Sequence, residues 1–145
     1  RGIKKIKLKN EIIQEYLPGK EYTVDVFCDN NSNLISHVIR ERLEIKAGIS
    51  TKGKVVKDKK ITYIIKDLIV RLNLKGPSCI QFRKSKNGQP KVIECNPRLG
   101  GGTFISTLAG INCADIYFDL LKGKKPKVNE PKEITVIRYY DEIVI

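Results

Sequence analysis

The 145-residue chain carries 28 lysines and arginines against 16 acidic residues, a net charge of +12, and it is 41% hydrophobic and 30% charged. This balance is typical of one globular domain, and no apolar run approaches the roughly 20 residues that a transmembrane helix needs. Lysines dominate the basic residues, and no arginine-rich run occurs. The charge alone therefore does not indicate nucleic acid as the main partner, because nucleotide phosphates or a solvated lysine-rich surface would explain it equally well.

The first third of the chain predicts an antiparallel meander. Residues 11–17 indicate a short strand that ends at a Pro-Gly turn. Residues 22–28 alternate apolar with other side chains, as a strand does. Residues 29–33, rich in Asp and Asn, predict a turn, and residues 34–46 predict a long strand. Residues 48–57 are rich in glycine and lysine and predict a loop.

A change of period marks the next segment. Isoleucines and leucines at helical spacing predict an amphipathic helix from about Asp58 to Leu74. Asp58 is a suitable N-cap and Gly76 a suitable stop. Residues 78–84 and 90–96 then form two predicted strands around Asn87-Gly88, which is a strong hairpin signal.

The remaining elements complete a mixed architecture. Helices are predicted over about 103–109 and 113–122, the second with Asn112 as its N-cap, and residues 134–145 predict a terminal strand. This order of elements predicts an α+β fold, in which helices pack against an antiparallel sheet.

The four cysteines, at positions 28, 79, 95 and 113, form no C-x-x-C pair, and the chain has one histidine. A structural zinc site is therefore not expected. Nothing in the sequence indicates secretion, so we expect free thiols in a cytoplasmic chain rather than disulfides.

The hairpin brings three oxygen-bearing side chains together. If the turn is regular and centred on Asn87-Gly88, Gln81 lies opposite Glu94 and Cys79 lies opposite Asn96. Opposed residues and residues two apart share a face, so Gln81, Glu94 and Asn96 lie on one face. Mg²⁺ prefers oxygen ligands. A polar, solvent-facing hairpin would have the same pattern, and a bulge would exchange the faces.

The residues that follow the hairpin favour an anion site. Arg98 comes directly after Pro97, and its planar guanidinium can hold a phosphate oxygen. The glycines at 100–102 allow backbone N–H groups to approach an anion ahead of a predicted helix start near Thr103. The same glycines could instead form a flexible connector.

These segments resemble the ATP-grasp superfamily. Residues 92–98 (VIECNPR) look like its E-x-N-P-R signature, residues 80–82 resemble the strand with the other metal ligand, and residues 14–22 are similar to the adenine-hinge strand. The resemblance spans about residues 10–122. With a glutamine at position 81, it is closest to carbamoyl-phosphate-synthase-like and related carboxylate–amine ligases.

The resemblance implies a role for each matching position. Glu15, Tyr16 and Leu17 would form the adenine hinge, and Glu21 would accept hydrogen bonds from the ribose hydroxyls. Gln81, Glu94 and Asn96 would hold one or two Mg²⁺ or Mn²⁺ ions on the ATP phosphates. The guanidinium of Arg98 would contact the γ-phosphate or an acyl phosphate. Lys46, or the nearby Arg42, would reach a phosphate.

The implied function is an ATP-dependent ligase that phosphorylates a small carboxylate for attack by an amine. The family's preceding small lobe and N-terminal domain do not match this sequence, which has no methionine even at position 1. We therefore expect the C-terminal portion of an ATP-grasp domain that needs the remainder of the enzyme and is inactive alone. A homodimer is left open.

Two further points stay open. Carbamoyl phosphate synthases carry an extra arginine just past the signature, where this chain has Leu99-Gly100-Gly101-Gly102-Thr103, and this departure puts bicarbonate as the substrate in question. The alternative function is a non-catalytic basic module on the same fold that contacts RNA or a protein partner.

Overall fold

The computed structural model describes residues 10–139 and residue 141. Within them, six strands form one antiparallel sheet in the order β5-β4-β1-β2-β3-β6. The strands are β1 (Glu21–Cys28), β2 (Leu34–Lys46), β3 (Ile49–Val56), β4 (Gly76–Lys84), β5 (Pro90–Asn96) and β6 (Thr135–Ile137), and the helices are α1 (Lys59–Leu72), α2 (Phe104–Leu108) and α3 (Cys113–Leu121). The α+β prediction is confirmed.

The sheet has an apolar core on each face, because side chains of a strand alternate between faces. On one face, Val24 and Val26 of β1 pack with Ile61, Ile65 and Ile69 of α1. On the other face, a second cluster joins the sheet to α2 and α3; its buried members are Phe27, Val38, Val55, Ile105, Ala109, Ile111, Cys113 and Ile116. The candidate site lies on this second face.

Helix α1 begins as predicted and ends earlier. The Asp58 carboxylate accepts hydrogen bonds from the backbone N–H groups of Lys60 and Ile61, at 3.0 and 3.2 Å, and so caps the first turn. The helix ends at Asn73, which has a left-handed backbone (φ 48°), and the Asn73 N–H bonds back to the last turn. The prediction of Gly76 as the stop is wrong, because Asn73 takes the left-handed position and Gly76 begins β4.

The predictions for residues 11–17 and 48–57 are wrong. Residues 11–17 are irregular and largely exposed, and β1 begins only at Glu21. Most of the predicted loop at 48–57 is strand β3, which pairs with β2 on one side and β6 on the other. Pairing on both sides supplies backbone hydrogen bonds that a glycine- and lysine-rich composition does not reveal. At Gly53, the absent side chain leaves room for Ile105 of α2.

The chain's end is only partly comparable with the prediction. Strand β6 covers three residues of the predicted 134–145 segment, and positions 140 and 142–145 lie outside the described residues. In the part of the chain that the structure describes, no helix is both long and apolar enough to span a bilayer. The four cysteines are free thiols, as predicted.

Candidate functional site

The hairpin of β4 and β5 has the predicted register at the candidate metal ligands. Gln81 pairs with Glu94 and Cys79 pairs with Asn96. The turn closes through the Gly88 N–H, which donates to the Ser85 carbonyl at 2.9 Å, and Gly88 has the positive φ of 74° that such a turn requires. The structure therefore brings Gln81, Glu94 and Asn96 to the same face of the sheet.

The regular pairing ends just beyond these ligands. A bulge lies between Gln81 and Phe82, so Phe82 pairs with Val92 and Ile93 is the extra residue. A regular hairpin centred on the predicted turn would pair Phe82 with Ile93, and the structure does not pair them. Between the turn and the bulge the two strands are one residue out of the predicted register, and the extra residue restores that register at the metal-ligand pairs.

The three candidate ligands already contact neighbouring polar groups. The Asn96 Nδ2 donates to Glu94 Oε1, which leaves the Asn96 carbonyl oxygen available to another partner. The Gln81 Oε1 accepts a long hydrogen bond of 3.4 Å from the Arg42 guanidinium. All three side chains thus present oxygens close to the cleft described next.

A cleft of about 160 Å³ lies beside the hairpin on this face. Gln81, Asn96 and Arg98 line one side, and Arg40 and Arg42 of β2 line another. Arg98 is exposed and donates to the Leu99 carbonyl at 3.0 Å. The remaining lining residues are Thr23, Gly48, Ile49, Ser50, Cys79, Gly100, Gly101 and Gly102. Three guanidinium groups and a glycine loop make this a surface suited to anions.

Arg40 and its partner Asp25 were not predicted as site residues from the sequence. Both are 2% exposed, and Arg40 Nε and Nη2 donate to the Asp25 carboxylate at 3.0 and 2.8 Å. Each residue stands inside a predicted strand, but only the pairing of β1 with β2 places them together. The available sequence signal was that each predicted strand carries a charged residue among apolar ones. A charge buried in a strand requires a partner, although this signal does not state which residue that partner is.

Arg42 lies between the predicted ribose and metal ligands. Its Nη1 pairs with the Glu21 carboxylate and its Nη2 donates to the Gly48 carbonyl at 2.6 Å. The Arg42 Nε is buried and has no hydrogen-bond partner among the described residues. Glu21, which resembles the family's ribose ligand, is therefore held by an arginine of the cleft.

The predicted adenine-hinge residues lie at a second hollow, of about 330 Å³, along the outer edge of β5. Glu15 and Leu17 line it together with Lys91 and Ile93. Leu17 is 9% exposed, and the Glu15 carboxylate forms an ion pair with Lys91. Tyr16 does not line this hollow and is 83% exposed.

Two further positions complete the set. Glu21 contacts one lining residue of each hollow, since its carboxylate pairs with Arg42 of the cleft and lies 3.9 Å from Arg83 Nε of the second hollow. Lys46 is exposed at the end of β2 and pairs with Glu44 at 3.5 Å. Arg42, the alternative to Lys46, lines the cleft, and Lys46 does not.

Cys79 forms part of the cleft floor beneath the glycine loop. It is 4% exposed, and this burial raises the pKa of its thiol, with the nearby Asp25 carboxylate adding to the effect. The thiol is therefore neutral at physiological pH and serves as a small packing group.

Relatives of known identity match this sequence. The carbamoyl phosphate synthase large chain of Clostridium botulinum is 35% identical over 129 residues, which cover 81% of this chain and 12% of the synthase. That of Clostridium beijerinckii is 32% identical over 131 residues, with 82% and 12% covered. The chain thus spans a small part of the length of these relatives.

Solved structures agree on the fold. Biotin carboxylase from Campylobacter jejuni, a β-γ-ATP complex, superposes with a TM-score of 0.64 and 21% identity, covering 79% of this chain and 28% of that one. The phosphoribosylaminoimidazole carboxylase ATPase subunit from Aquifex aeolicus gives a TM-score of 0.66 and 17% identity, covering 83% and 38%. At these identities the two structures show a shared fold alone.

The family itself is identified by sequence. Residues 7–143 match the model of the family described as ATP-grasp in the biosynthetic pathway with Ter operon. The chain therefore belongs to the ATP-grasp family, and its helix-covered antiparallel sheet is part of an ATP-grasp fold.

Proposed function

We propose that this chain is the nucleotide- and metal-binding C-terminal portion of an ATP-grasp domain in an ATP-dependent ligase. The ligase would activate a small carboxylate as an acyl phosphate for attack by an amine, as the carbamoyl-phosphate-synthase-like resemblance implies. The observation that carries the proposal is the shared face of Gln81, Glu94 and Asn96, next to a cleft lined by arginines and glycines.

The donor set suits Mg²⁺ or Mn²⁺. The amide carbonyls of Gln81 and Asn96 and the Glu94 carboxylate are hard oxygen donors, and Mg²⁺ sites combine few such protein ligands with phosphate oxygens and water. The Asn96 amide already directs its nitrogen toward Glu94. One or two ions bound there would neutralise charge on the ATP phosphates during transfer.

The two hollows suggest how ATP would lie. The adenine would occupy the hollow beside Glu15 and Leu17, and the phosphates would occupy the cleft beside Arg98. Glu21, which contacts a residue of each hollow, would meet the ribose between them. Tyr16 and Lys46 line neither hollow, so their contact with the nucleotide stays a separate prediction.

Arg98 and the Gly100–Gly102 loop would hold the transferred phosphoryl group and the carboxylate. Phosphoryl transfer depends on positioned charge more than on covalent catalysis, and the cleft offers guanidinium and backbone N–H groups for this purpose. The rest of the enzyme would supply the opposite wall of the site. We therefore expect the isolated chain to bind nucleotide weakly and to turn over no substrate.

The proposal is tested by a change at the central carboxylate. Glu94→Gln keeps the shape of the side chain and removes its charge, so the affinity for Mg-ATP should fall about tenfold or more, as loss of metal-site groups does. The measurement is an NMR titration of the chain with ATP, with and without Mg²⁺. The matched control is Glu130→Gln, at a carboxylate on the exposed surface that pairs only loosely with Lys57.

Each result has a clear meaning. Mg²⁺-dependent binding that Glu94→Gln weakens and Glu130→Gln leaves unchanged would support the site. Equal binding by the wild type and Glu94→Gln would refute the metal assignment. If RNA instead binds tightly, with an affinity that falls steeply with salt, the +12 charge would identify the chain as the alternative basic module.

A further inference from the structure

One buried carboxylate ties the glycine loop to the sheet. Besides Arg40, Asp25 accepts hydrogen bonds from Thr103 Oγ1 at 3.2 Å and from Ser106 Oγ at 2.5 Å. The Thr103 Oγ1 also accepts from the Gly100 N–H at 3.0 Å. Asp25 is 2% exposed. Strands β1 and β2, the glycine loop and helix α2 thus meet at a single side chain.

The loop lies on the sheet so closely that two of its residues have no room for a side chain. A Cβ atom on Gly100 would come within 2.7 Å of the Cys79 Sγ, and a Cβ on Gly102 would collide with Arg40 Nη1. Arg40 cannot easily yield, because its guanidinium is fixed by two hydrogen bonds to Asp25. Gly100 and Gly102 are therefore packed contacts and not parts of a flexible connector.

We propose that Asp25 is a positioning residue that seats the Gly100–Thr103 loop through Thr103, Ser106 and Arg40, and thereby sets the place of Arg98 and the loop amides at the cleft. This inference rests on the proposed function for its consequence, which is preferential binding of the γ-phosphate. The seating itself follows from the contacts within the chain.

The geometry explains why seating matters to this cleft. Arg98 lies at the exposed rim, where its guanidinium donates to the neighbouring Leu99 carbonyl and its backbone N–H donates to the Asn96 carbonyl. Its placement therefore depends on the end of β5 and on the loop that follows it. Gly100, Gly101 and Gly102 all line the same cleft. If the Thr103 hydroxyl were removed, Asp25 would lose one donor and the Gly100 N–H would lose its acceptor in a buried setting.

The test compares Thr103→Val, which keeps the shape and removes the hydroxyl, with Thr103→Ser, which keeps the hydroxyl. Cys79 reports on the loop, because Gly100 covers its thiol. We expect iodoacetamide to alkylate Cys79 about tenfold faster in Thr103→Val than in the wild type, given the cost of a buried unpaired polar group. Thr103→Ser should react at the wild-type rate.

The other cysteines are internal controls in the same reaction. Cys28 and Cys113 are buried in the two cores and should stay protected in every variant. Peptide mapping by mass spectrometry assigns the rate at each cysteine. An unchanged Cys79 rate in Thr103→Val would overturn the seating, and so would an equal rise at Cys28, since that would indicate global unfolding.

A second readout separates positioning from mere packing. In NMR titrations with Mg-ATP and Mg-ADP, Thr103→Val should lower the affinity for ATP several-fold more than that for ADP, because Arg98 would meet the γ-phosphate. An unchanged ratio of the two affinities with an exposed Cys79 would overturn the positioning role. If the wild type binds neither nucleotide, the proposed function fails together with this role, while the Cys79 rates still decide the seating.

Discussion

Neighbouring glycines of the Gly100–Gly102 loop face different surroundings. A Cβ on Gly102 would meet the buried Arg40 guanidinium, whereas a Cβ on Gly101 would meet no heavy atom of the described chain within 4 Å. The three consecutive glycines therefore meet two different structural requirements. Gly102 permits close packing on Arg40, and Gly101 leaves open space at the cleft.

This difference predicts that two similar substitutions change the stability by different amounts. Gly102→Ala should lower the free energy of unfolding by about 1–3 kcal/mol, as overpacking of a buried site does, and Gly101→Ala should change it by less than about 0.5 kcal/mol. Urea denaturation of both variants measures the difference. Equal stability of the two would show that Arg40 moves aside freely.

The sequence predicted which residues the hairpin brings together, but it did not predict the contact between Arg40 and Asp25. Gln81, Glu94 and Asn96 share a strand pair with a two-residue turn signal between them, so a local pattern indicates that these strands pair, and the bulge at Ile93 then gives them the predicted register. Arg40 and Asp25 are brought together by the pairing of β1 with β2. A strand pattern identifies which face a residue occupies but not which distant charge stands beside it, so this contact was not predictable.

At the scale of elements, helix α1 illustrates how local signals determine a boundary. Asp58 caps the first turn, and its Oδ2 also pairs with Lys84 of β4 at 2.9 Å. Burial raises the pKa of this carboxyl, but hydrogen bonds from Lys84, Ile61 and Lys60 outweigh it, and the net pKa is lowered. The cap therefore joins the helix to the hairpin strand.

Replacement of Asp58 tests this double role. Asp58→Ala should lower the free energy of unfolding by about 1 kcal/mol or more at neutral pH, because the cap is lost. Asp58→Asn should cost less, since asparagine also caps well. Because the folded-state pKa is lowered, the charge contributes above the ordinary pKa of 3.8 and is lost as the pH falls below it.

The measurement is urea denaturation of the three proteins at neutral pH and near pH 3. The gap between the wild type and Asp58→Asn should narrow at the lower pH, because the contribution of the charge is lost as the pH falls from 3.8 through the lowered folded-state pKa. A gap that stays constant would show that the ion pair with Lys84 contributes nothing.

The elements that were wrongly predicted depend on tertiary pairing. Residues 49–56 include a glycine and two lysines, which are depleted in strands, but β2 and β6 pair with this segment on its two sides. The apolar residues at 11–17 have no partner strand within the described sheet, so the local pattern forms no strand there. Pairing order was decisive in both cases, and a single sequence does not state it.

At the scale of the whole molecule, the titratable groups with shifted pKa values predict a stability maximum near neutral pH. Burial, followed by repulsion from Lys66, lowers the pKa of His37 below 6.5, although Glu130 opposes the shift. Its ring bonds to the Thr62 hydroxyl at 2.9 Å. The unfolded chain then binds more protons than the folded one as the pH falls below 6.5, so the folded state loses stability on the acid side.

The cysteines have the opposite effect at high pH. Burial raises the pKa of Cys28 from 9.0 to about 11, with a contribution from Asp29, and the thiols of Cys79, Cys95 and Cys113 shift in the same direction. Above pH 9 the unfolded chain releases these protons first. The stabilisation is therefore complete below pH 9 and is lost as the pH rises toward the folded-state values.

Urea denaturation under reducing conditions at about pH 5, 7.5 and 10 should thus give the highest free energy of unfolding at the middle value. His37→Gln should flatten the change between pH 7.5 and 5, because the histidine that titrates there is gone. Cys28→Ala should reduce the loss between pH 7.5 and 10 and leave the acid side unchanged. A stability that rises from pH 7.5 to 10 would contradict the burial of these thiols, on which both cores and the floor of the proposed phosphate cleft depend.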